Sequence, residues 1–111
     1  MQVTEKKSND ILIYYIAGDI DINSSPDVRK IFDAPINKKV SKIVINLSGV
    51  SYVDSSGLAT LVELLKRTRS YNGKLKLTNL SSKVKSLFEI TKLEKLFDIY
   101  ESEAEAVTAF A

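Results

Sequence analysis

Residues 42–58 read Lys-Ile-Val-Ile-Asn-Leu-Ser-Gly-Val-Ser-Tyr-Val-Asp-Ser-Ser-Gly-Leu. Within them, Lys42–Leu47 is short, rich in β-branched residues and bounded by polar residues, which is typical of a buried strand. Residues 48–53 are predicted to form a loop or a second short extended piece. An amphipathic helix is predicted to follow the turn at 54–57. Its apolar face comprises Leu58, Leu61, Val62 and Leu65.

Strands and helices alternate through the rest of the chain. A weak strand over 1–6 and an apolar strand over 11–17 flank the turn cluster Ser8-Asn9-Asp10, which predicts a hairpin. Further strands are predicted over 74–80 and 96–100. The order β-β-α-β-α-β-α-β-α predicts one α/β domain, with a mixed, mostly parallel sheet of about five strands and about four helices packed on it. The first and last strands should be its edges.

Capping signals place the helix ends. Ser25 is predicted as the cap of the first helix, with Pro26 at its first position. Pro35 should end or kink that helix, because proline lacks the N–H and clashes one turn back. Asn72-Gly73 ends the second helix, and Ser81 or Ser82 begins the third. The third helix is predicted to carry Val84, Leu87, Phe88 and Ile90 on its apolar face, and the capping box at 102–105 begins a fourth.

The composition excludes several classes of function. The chain has 111 residues, a common size for one domain, so a single domain over 1–111 is expected. It contains no His and no Cys, which removes thiolate zinc clusters, Cys nucleophiles and a Ser-His-Asp triad. Neither of the two common glycine-rich nucleotide motifs is present. The N-terminus does not resemble a signal peptide, and no apolar run approaches ~18 residues, so a cytoplasmic protein is expected, with no metal or cofactor.

Charge is distributed unevenly along the chain. Nine basic and two acidic residues lie between Lys66 and Lys95, whereas four acidic and no basic residues follow from Asp98 onward. This basic run is interpreted as a solvated face or as a docking surface for an acidic partner. Direct nucleic-acid binding is not favoured, because core positions interrupt the run and only Tyr71 could stack on bases.

The turn at 54–57 is where chemistry is expected. Ser55 stands at the start of a helix, where free N–H groups and the positive end of the helix dipole would accommodate a phosphate on its side chain. The simpler interpretation is structural, because Asp or Ser before a helix is usually a cap. Spacing alone leaves both interpretations open.

The stretch Val44–Leu58 resembles the signature of the STAS domain, in particular that of bacterial anti-sigma factor antagonists. In that family a buried strand ending in Asp or Asn and Leu leads through a short loop into Asp-Ser-Ser/Thr/Ala-Gly-Leu. Gly18-Asp19-Ile20-Asp21 resembles the family's Gly-Glu-Leu-Asp, and Leu93–Phe97 resembles its Gly-Leu-x-x-x-Phe segment. The resemblance runs from about Val3 to Val107, in the family's order of elements.

Two positions depart from the family pattern. Pro35 falls where the first helix of the family usually continues. Thr91-Lys92 stands where Ser/Thr-Gly is usual, so the turn after the third helix is expected to differ.

The resemblance implies a switch operated by phosphorylation. The Ser directly after the Asp, Ser55 here, is phosphorylated in the family by an anti-sigma factor that is also a serine kinase. The unphosphorylated form binds that anti-sigma factor and frees its sigma factor, and a phosphatase acting on phospho-Ser55 resets the cycle. The resemblance also implies a partner-binding surface around the phosphoacceptor. Its residues are Asp21, Asp54, Ser56, Gly57 and Leu58.

Two other functions are weighed against this one. A STAS domain can serve as a scaffold or adaptor for a stress-signalling or transporter complex that involves no sigma factor. A small carboxylate enzyme could use Asp19, Asp21 and Asp54, but these acids are separated in sequence and nothing indicates a raised pKa or a deep pocket. The chain is therefore expected to be a regulated binding module rather than an enzyme, with neither nucleic acid nor membrane as a partner.

Overall fold

Five strands form one sheet, in chain order, in the computed structural model, which describes residues 1–110. The strands are β1 (Gln2–Ser8), β2 (Ile11–Ala17), β3 (Lys42–Gly49), β4 (Lys74–Thr78) and β5 (Asp98–Tyr100). The helices are α1 (Ser25–Asn37), α2 (Ser55–Arg69), α3 (Ser82–Ile90) and α4 (Glu103–Ala109), with a 3₁₀ turn at Leu93–Lys95. The predicted α/β class is confirmed, and so are the hairpin and the two edge strands. No helix within residues 1–110 is long and apolar enough to cross a membrane.

Strand β3 is the centre of the sheet. It pairs in parallel with β2 on one side and β4 on the other, whereas β1 runs antiparallel to β2. Its residues 43–47 are all buried, as expected for a parallel strand covered on both faces. Alternate side chains enter two different cores. Ile43, Ile45 and Leu47 join the large core under α1, α2 and α3, while Val44 joins a smaller core under α4.

The smaller core holds a buried lysine that the sequence did not indicate. Lys76 is only 5% exposed, at the centre of β4. Its ammonium lies 3.4 Å from the Asp98 carboxylate and 4.8 Å and 5.1 Å from the ring centroids of Phe110 and Tyr100. The two rings and the carboxylate together replace the water that the charge loses on burial.

Strand β1 is an almost fully exposed edge. Only Val3 and Ser8 are half-buried, and three charged residues in succession, Glu5, Lys6 and Lys7, lie along it. Lys6 reaches across the sheet face to α4, where its ammonium is 3.5 Å from the Glu103 carboxylate.

Pro35 was predicted to end or kink the first helix. It does not end the helix, since α1 continues to Asn37. Proline removes a single N–H from the ladder, and the Lys38 N–H again donates to the Ala34 carbonyl, at 3.1 Å. Pro35 and Ile36 are both buried, and this burial outweighs the one missing hydrogen bond.

Two finer predictions also need correction. Ser25 is the first residue of α1 and not its cap; Ser24 holds the cap position, because the turn built on Asp21 starts the helix one residue earlier. Ile90 was predicted to lie on the apolar face of the third helix, but its side chain is 78% exposed. Ile90 is the last residue of α3, and the buried residues of this helix are Val84 and Phe88.

Replacing Phe32 by Ala should destabilise the fold strongly. Phe32 is 1% exposed and its ring centroid lies 4.5 Å from that of Tyr14 on β2. Removing such a side chain from a core typically costs about 3–5 kcal/mol of unfolding free energy. The matched control is Lys30→Ala on the exposed side of the same helix, expected to change stability by less than about 0.5 kcal/mol. Urea unfolding followed by circular dichroism measures both; equal losses would contradict this assignment of the core.

Candidate functional site

Two loops run side by side at the carboxyl ends of β2 and β3. The Ile20 N–H donates to the Tyr52 carbonyl at 3.0 Å, and the Asp54 N–H donates back to the Ile20 carbonyl at 3.2 Å. Ile20 and Val53 form an isolated parallel bridge, and both are buried. The loops therefore extend the sheet by one more pairing and form a platform on which α2 begins. This edge of a parallel sheet is where ligands usually bind in α/β folds.

Asp54 ties this platform together. One of its carboxylate oxygens accepts the Gly57 N–H at 2.8 Å and caps α2, while the other accepts the Ile22 N–H at 3.0 Å. The interpretation that an Asp before this helix is a helix cap is thus confirmed for Asp54. Because the carboxylate fills the cap, the hydroxyl of Ser55 is not needed for that purpose.

Asp21 organises the neighbouring loop in a similar way. One of its oxygens accepts the N–H groups of Asn23 and Ser24, each at 3.0 Å. The Ser24 hydroxyl accepts the Asp21 N–H at 3.0 Å and donates to the Asp19 carbonyl at 2.8 Å. The loop between β2 and α1 is therefore held by its own side chains, and Asp21 acts there as a turn-forming residue.

Ser55 is the first residue of α2 and is exposed, whereas Ser56 is half-buried. The N–H groups of the next two residues are already bonded, Gly57 to the Asp54 carboxylate and Leu58 to the Asp54 carbonyl. These two donors are therefore not free to bind a phosphate, contrary to what was expected of the N–H groups at this helix start. Because the Ser55 side chain is exposed, a group attached to it would face solvent at the positive end of a 15-residue helix.

Gly57 and Leu58 lie beneath this surface. A Cβ at Gly57 would stand 2.2 Å from the Ile20 carbonyl oxygen and 2.8 Å from Val53, so only glycine lets α2 approach the platform this closely. Leu58 is 9% exposed and belongs to the large core. Of the residues that the resemblance placed at the partner surface, these two are mainly packed inside the protein, while Asp21, Asp54 and Ser56 are half-buried around Ser55.

Two exposed apolar side chains complete the site. Ile22, at the tip of the β2–α1 loop, is 68% exposed, and Tyr52, on the neighbouring loop, is 46% exposed. The Lys83 ammonium lies 5.8 Å from the Tyr52 ring centroid, which connects α3 to the site. Sequence reasoning missed both apolar residues, because loop residues follow no periodic pattern. The sequence also gives no signal that separates them from their neighbours, because each loop contains buried apolar residues as well, Ile20 in one and Val50 and Val53 in the other.

The carboxylates are arranged for structure. Asp54 and Asp21 each accept backbone N–H groups, and an Asp19 oxygen accepts the Ser51 hydroxyl at 3.3 Å. Among residues 1–110, no group of three or more acidic side chains could hold a metal ion. The three acids that were considered for a carboxylate enzyme thus hold two loops in place.

Comparisons with known proteins agree with this architecture. The family model of the STAS domain matches residues 2–106. An anti-sigma-B factor antagonist from Bacillus subtilis is 39% identical over 95 residues, which cover 86% of this chain and 85% of that protein. The crystal structure of TM1081 from Thermotoga maritima has a TM-score of 0.91 at 29% identity, covering 96% of this chain and 92% of that one. Phosphorylated SpoIIAA from Bacillus has a TM-score of 0.75 at 18% identity, covering 99% and 100%, and shares the fold.

Removing the Asp54 carboxylate should loosen both loops at once. Asp54→Ala deletes the acceptors of the Gly57 and Ile22 N–H groups, and the loss of a helix cap costs about 0.5–2 kcal/mol. Amide hydrogen exchange should accelerate at Ile22 as well as at Gly57. Glu89→Ala, an exposed acidic residue with no ion pair within residues 1–110, is the control. Faster exchange at Gly57 alone would show that Asp54 does not hold the neighbouring loop.

Gly57→Ala should destabilise the protein although alanine favours helices. The new methyl group would overlap the Ile20 carbonyl oxygen, so the platform or α2 must shift, at a typical cost of about 1–3 kcal/mol. The gain in helix propensity is about 1 kcal/mol at most. Ser56→Ala, one position earlier in the same turn, is the control for thermal unfolding. A Gly57→Ala protein at least as stable as the control would contradict the close approach.

Proposed function

The chain belongs to the STAS-domain family, and from this membership we propose that it is an anti-sigma factor antagonist. The unphosphorylated form binds an anti-sigma factor that is also a serine kinase, and so releases the sigma factor. Phosphorylation of Ser55 ends the binding, and a phosphatase acting on phospho-Ser55 restores it. The proposal depends most on one observation, namely that Ser55 is exposed at the start of α2 with its capping role taken by Asp54.

The position of Ser55 suits a phosphoacceptor. A kinase needs a hydroxyl that it can reach, and modification must not remove a bond on which the fold depends. Ser55 meets both requirements, since Asp54 caps the helix and the side chain is exposed. By contrast, Ser56 is half-buried, and its carbonyl accepts the Thr60 hydroxyl at 2.9 Å.

A phosphate at Ser55 should alter binding more than folding. It adds between about 1.5 and 2 negative charges close to Asp54. The helix N-terminus offsets the repulsion by about 0.3–1 kcal/mol, or up to ~2 kcal/mol in a partly buried geometry. These two effects oppose each other, so the fold changes little.

In an interface the balance is different. A charge forced into a protein contact without a partner costs roughly 2–5 kcal/mol. Since each ~1.4 kcal/mol is a factor of ten, affinity should fall about 30-fold or more. The switch is thus one of electrostatics and desolvation at the surface, without refolding.

The partner surface that we propose surrounds Ser55. Asp21, Asp54 and Ser56 supply its half-buried polar part, and Ile22 and Tyr52 add exposed apolar area of the kind that anchors interfaces. Gly57 and Leu58 contribute from below, by fixing the start of α2 against the platform. On this proposal the chain is a cytoplasmic binding module with no catalytic step of its own.

Ser55 should be the principal site of phosphorylation by the cognate kinase. The purified protein is incubated with that kinase and ATP, and the modified residue is located by mass spectrometry. Ser55→Ala should abolish incorporation, whereas Ser41→Ala, which changes an exposed serine at the opposite end of β3, should retain it. By calorimetry, the phosphorylated protein and Ser55→Asp should both bind the kinase at least about 30-fold more weakly than the unmodified protein.

Three outcomes would contradict the proposal. One is modification mainly at Ser56 or Thr60. Another is a phosphorylated form that binds as tightly as the unmodified one. A third is a change in backbone chemical shifts throughout the sheet on phosphorylation, because that would indicate a refolding switch.

A further inference from the structure

A second surface lies along α2, beginning one turn beyond Ser55. It is a groove of about 560 Å³ between α2 and the 3₁₀ turn at Leu93–Lys95. Its apolar floor is formed by Leu58, Ala59, Val62 and Leu93. We call this the α2 groove. It adjoins the surface around Ser55, since both are built on the same helix and share Leu58.

Charges around the α2 groove are only partly compensated. Two charged residues in its wall are already paired: Glu63 lies 3.3 Å from Arg29, and Arg67 lies 2.9 Å from Asp33. Lys66 lies in the same wall, is exposed, and has no carboxylate partner within residues 1–110.

The 3₁₀ turn adds two more lysines beside the groove. Lys92 directly precedes Leu93, and Lys95 follows it by two residues. Both are exposed and lack ion pairs within the described part of the chain, and they lie on the turn that supplies Leu93 rather than in the lining of the groove. Glu94 between them does not line the α2 groove; it lines the cleft beside β5, and one of its oxygens is buried. The groove therefore has an apolar floor, one unpaired lysine in its wall and two more on the turn beside it, which we together call its rim.

Within the basic run 66–95, the structure shows which basic side chains have a partner and which do not. Arg67, Lys76 and Lys85 form ion pairs with acidic residues, and the Arg69 guanidinium donates to the Leu96 carbonyl at 2.9 Å. Three of the remaining lysines, Lys66, Lys92 and Lys95, are those beside the α2 groove. An ordinary solvated face does not require an apolar floor between its charges.

We propose that the α2 groove binds an acidic, amphipathic helix of the same protein partner that covers Ser55; the identity of that partner rests on the proposed function. Leu58, Val62 and Lys66 succeed one another at four-residue spacing and form a ridge along α2, against which another helix can pack. Apolar side chains of the incoming helix meet the floor, and its carboxylates meet the three lysines. A nucleic acid fits this surface less well, because a phosphate backbone leaves an apolar floor unfilled.

The test compares two triple variants of the full chain that change net charge equally. Lys66→Glu with Lys92→Glu and Lys95→Glu reverses the rim of the α2 groove. The control, Lys7→Glu with Lys38→Glu and Lys74→Glu, reverses three exposed lysines without ion pairs in the described residues, at the opposite end of the strands. Affinity for the cognate kinase is measured by calorimetry at low and moderate salt, after circular dichroism has confirmed folding.

The rim variant should bind at least tenfold more weakly and lose much of its salt dependence, whereas the control should change less than threefold. Ala59→Asp, which places a carboxylate on the exposed floor without altering the core, should also weaken binding at least tenfold. If both groove variants bind like the unmodified chain while Ser55→Asp does not, the inference is overturned and the proposed function stands. Equal losses in the rim and control variants would also overturn it, because they would show only a general attraction.

If the kinase does not bind the unmodified chain, the proposed function fails and a synthetic peptide tests the groove alone. The peptide has 18 residues, with Leu at helical spacing and Glu on its other face. It should shift the amide resonances of Ala59, Val62 and Leu93, and the same peptide with Lys in place of Glu should not. Absence of these shifts, or tighter binding of a single-stranded oligonucleotide at the same residues, would overturn the inference.

Discussion

The Asp54 carboxylate is the contact on which the functional end of the molecule depends. One oxygen caps α2 and the other holds the loop that follows β2, so a single side chain joins that loop to the start of the helix that carries Ser55. Gly57 completes this arrangement by allowing the helix to approach the Ile20 carbonyl. The result is a hydrogen-bonded platform that carries the exposed hydroxyl of Ser55, and the capping of α2 does not depend on that hydroxyl. The phosphorylation switch that we propose needs such a separation, because Ser55 must be able to change charge while the hydrogen bonds around it are kept.

Much of the architecture could be predicted from local patterns. The β-branched run of β3, the hairpin of the first two strands and the cap at Ser102 each depend on a few neighbouring residues, and the structure has each of them. The third helix was predicted to begin at Ser81 or Ser82, and Ser81 is its cap. The sequence pattern also placed Ser55 at the start of a helix. These features depend on neighbours in the chain, which is why one sequence suffices to predict them.

What could not be predicted depends on residues far apart in the chain. Lys76 is buried because Tyr100 and Phe110, from the C-terminal segment, cover it. Helix α1 continues beyond Pro35 because the helix packs Pro35 and Ile36 into the core. Ile22 is held at the site by the hydrogen bond from its N–H to the carboxylate of Asp54, which is 32 positions further along the chain. Lys92 shows a local limit of the same kind: it adopts a left-handed conformation, with φ of 61°, where the family pattern has glycine. The rest of the turn, including the Lys92 N–H bond to the Glu89 carbonyl, holds a lysine there despite the strain.

The exposed edge formed by β1 has a consequence for how the molecule behaves in a crowded solution. An open strand offers unpaired backbone groups to any other strand, and a sheet with such an edge can grow by joining a copy of itself. The charges of Glu5, Lys6 and Lys7 along β1 oppose this joining, because a second strand would bring further charges against them. The other edge, β5, is only three residues long and offers little template. Aggregation is thus discouraged at both edges of the sheet, away from the loop platform and α2, where we propose that the partner binds.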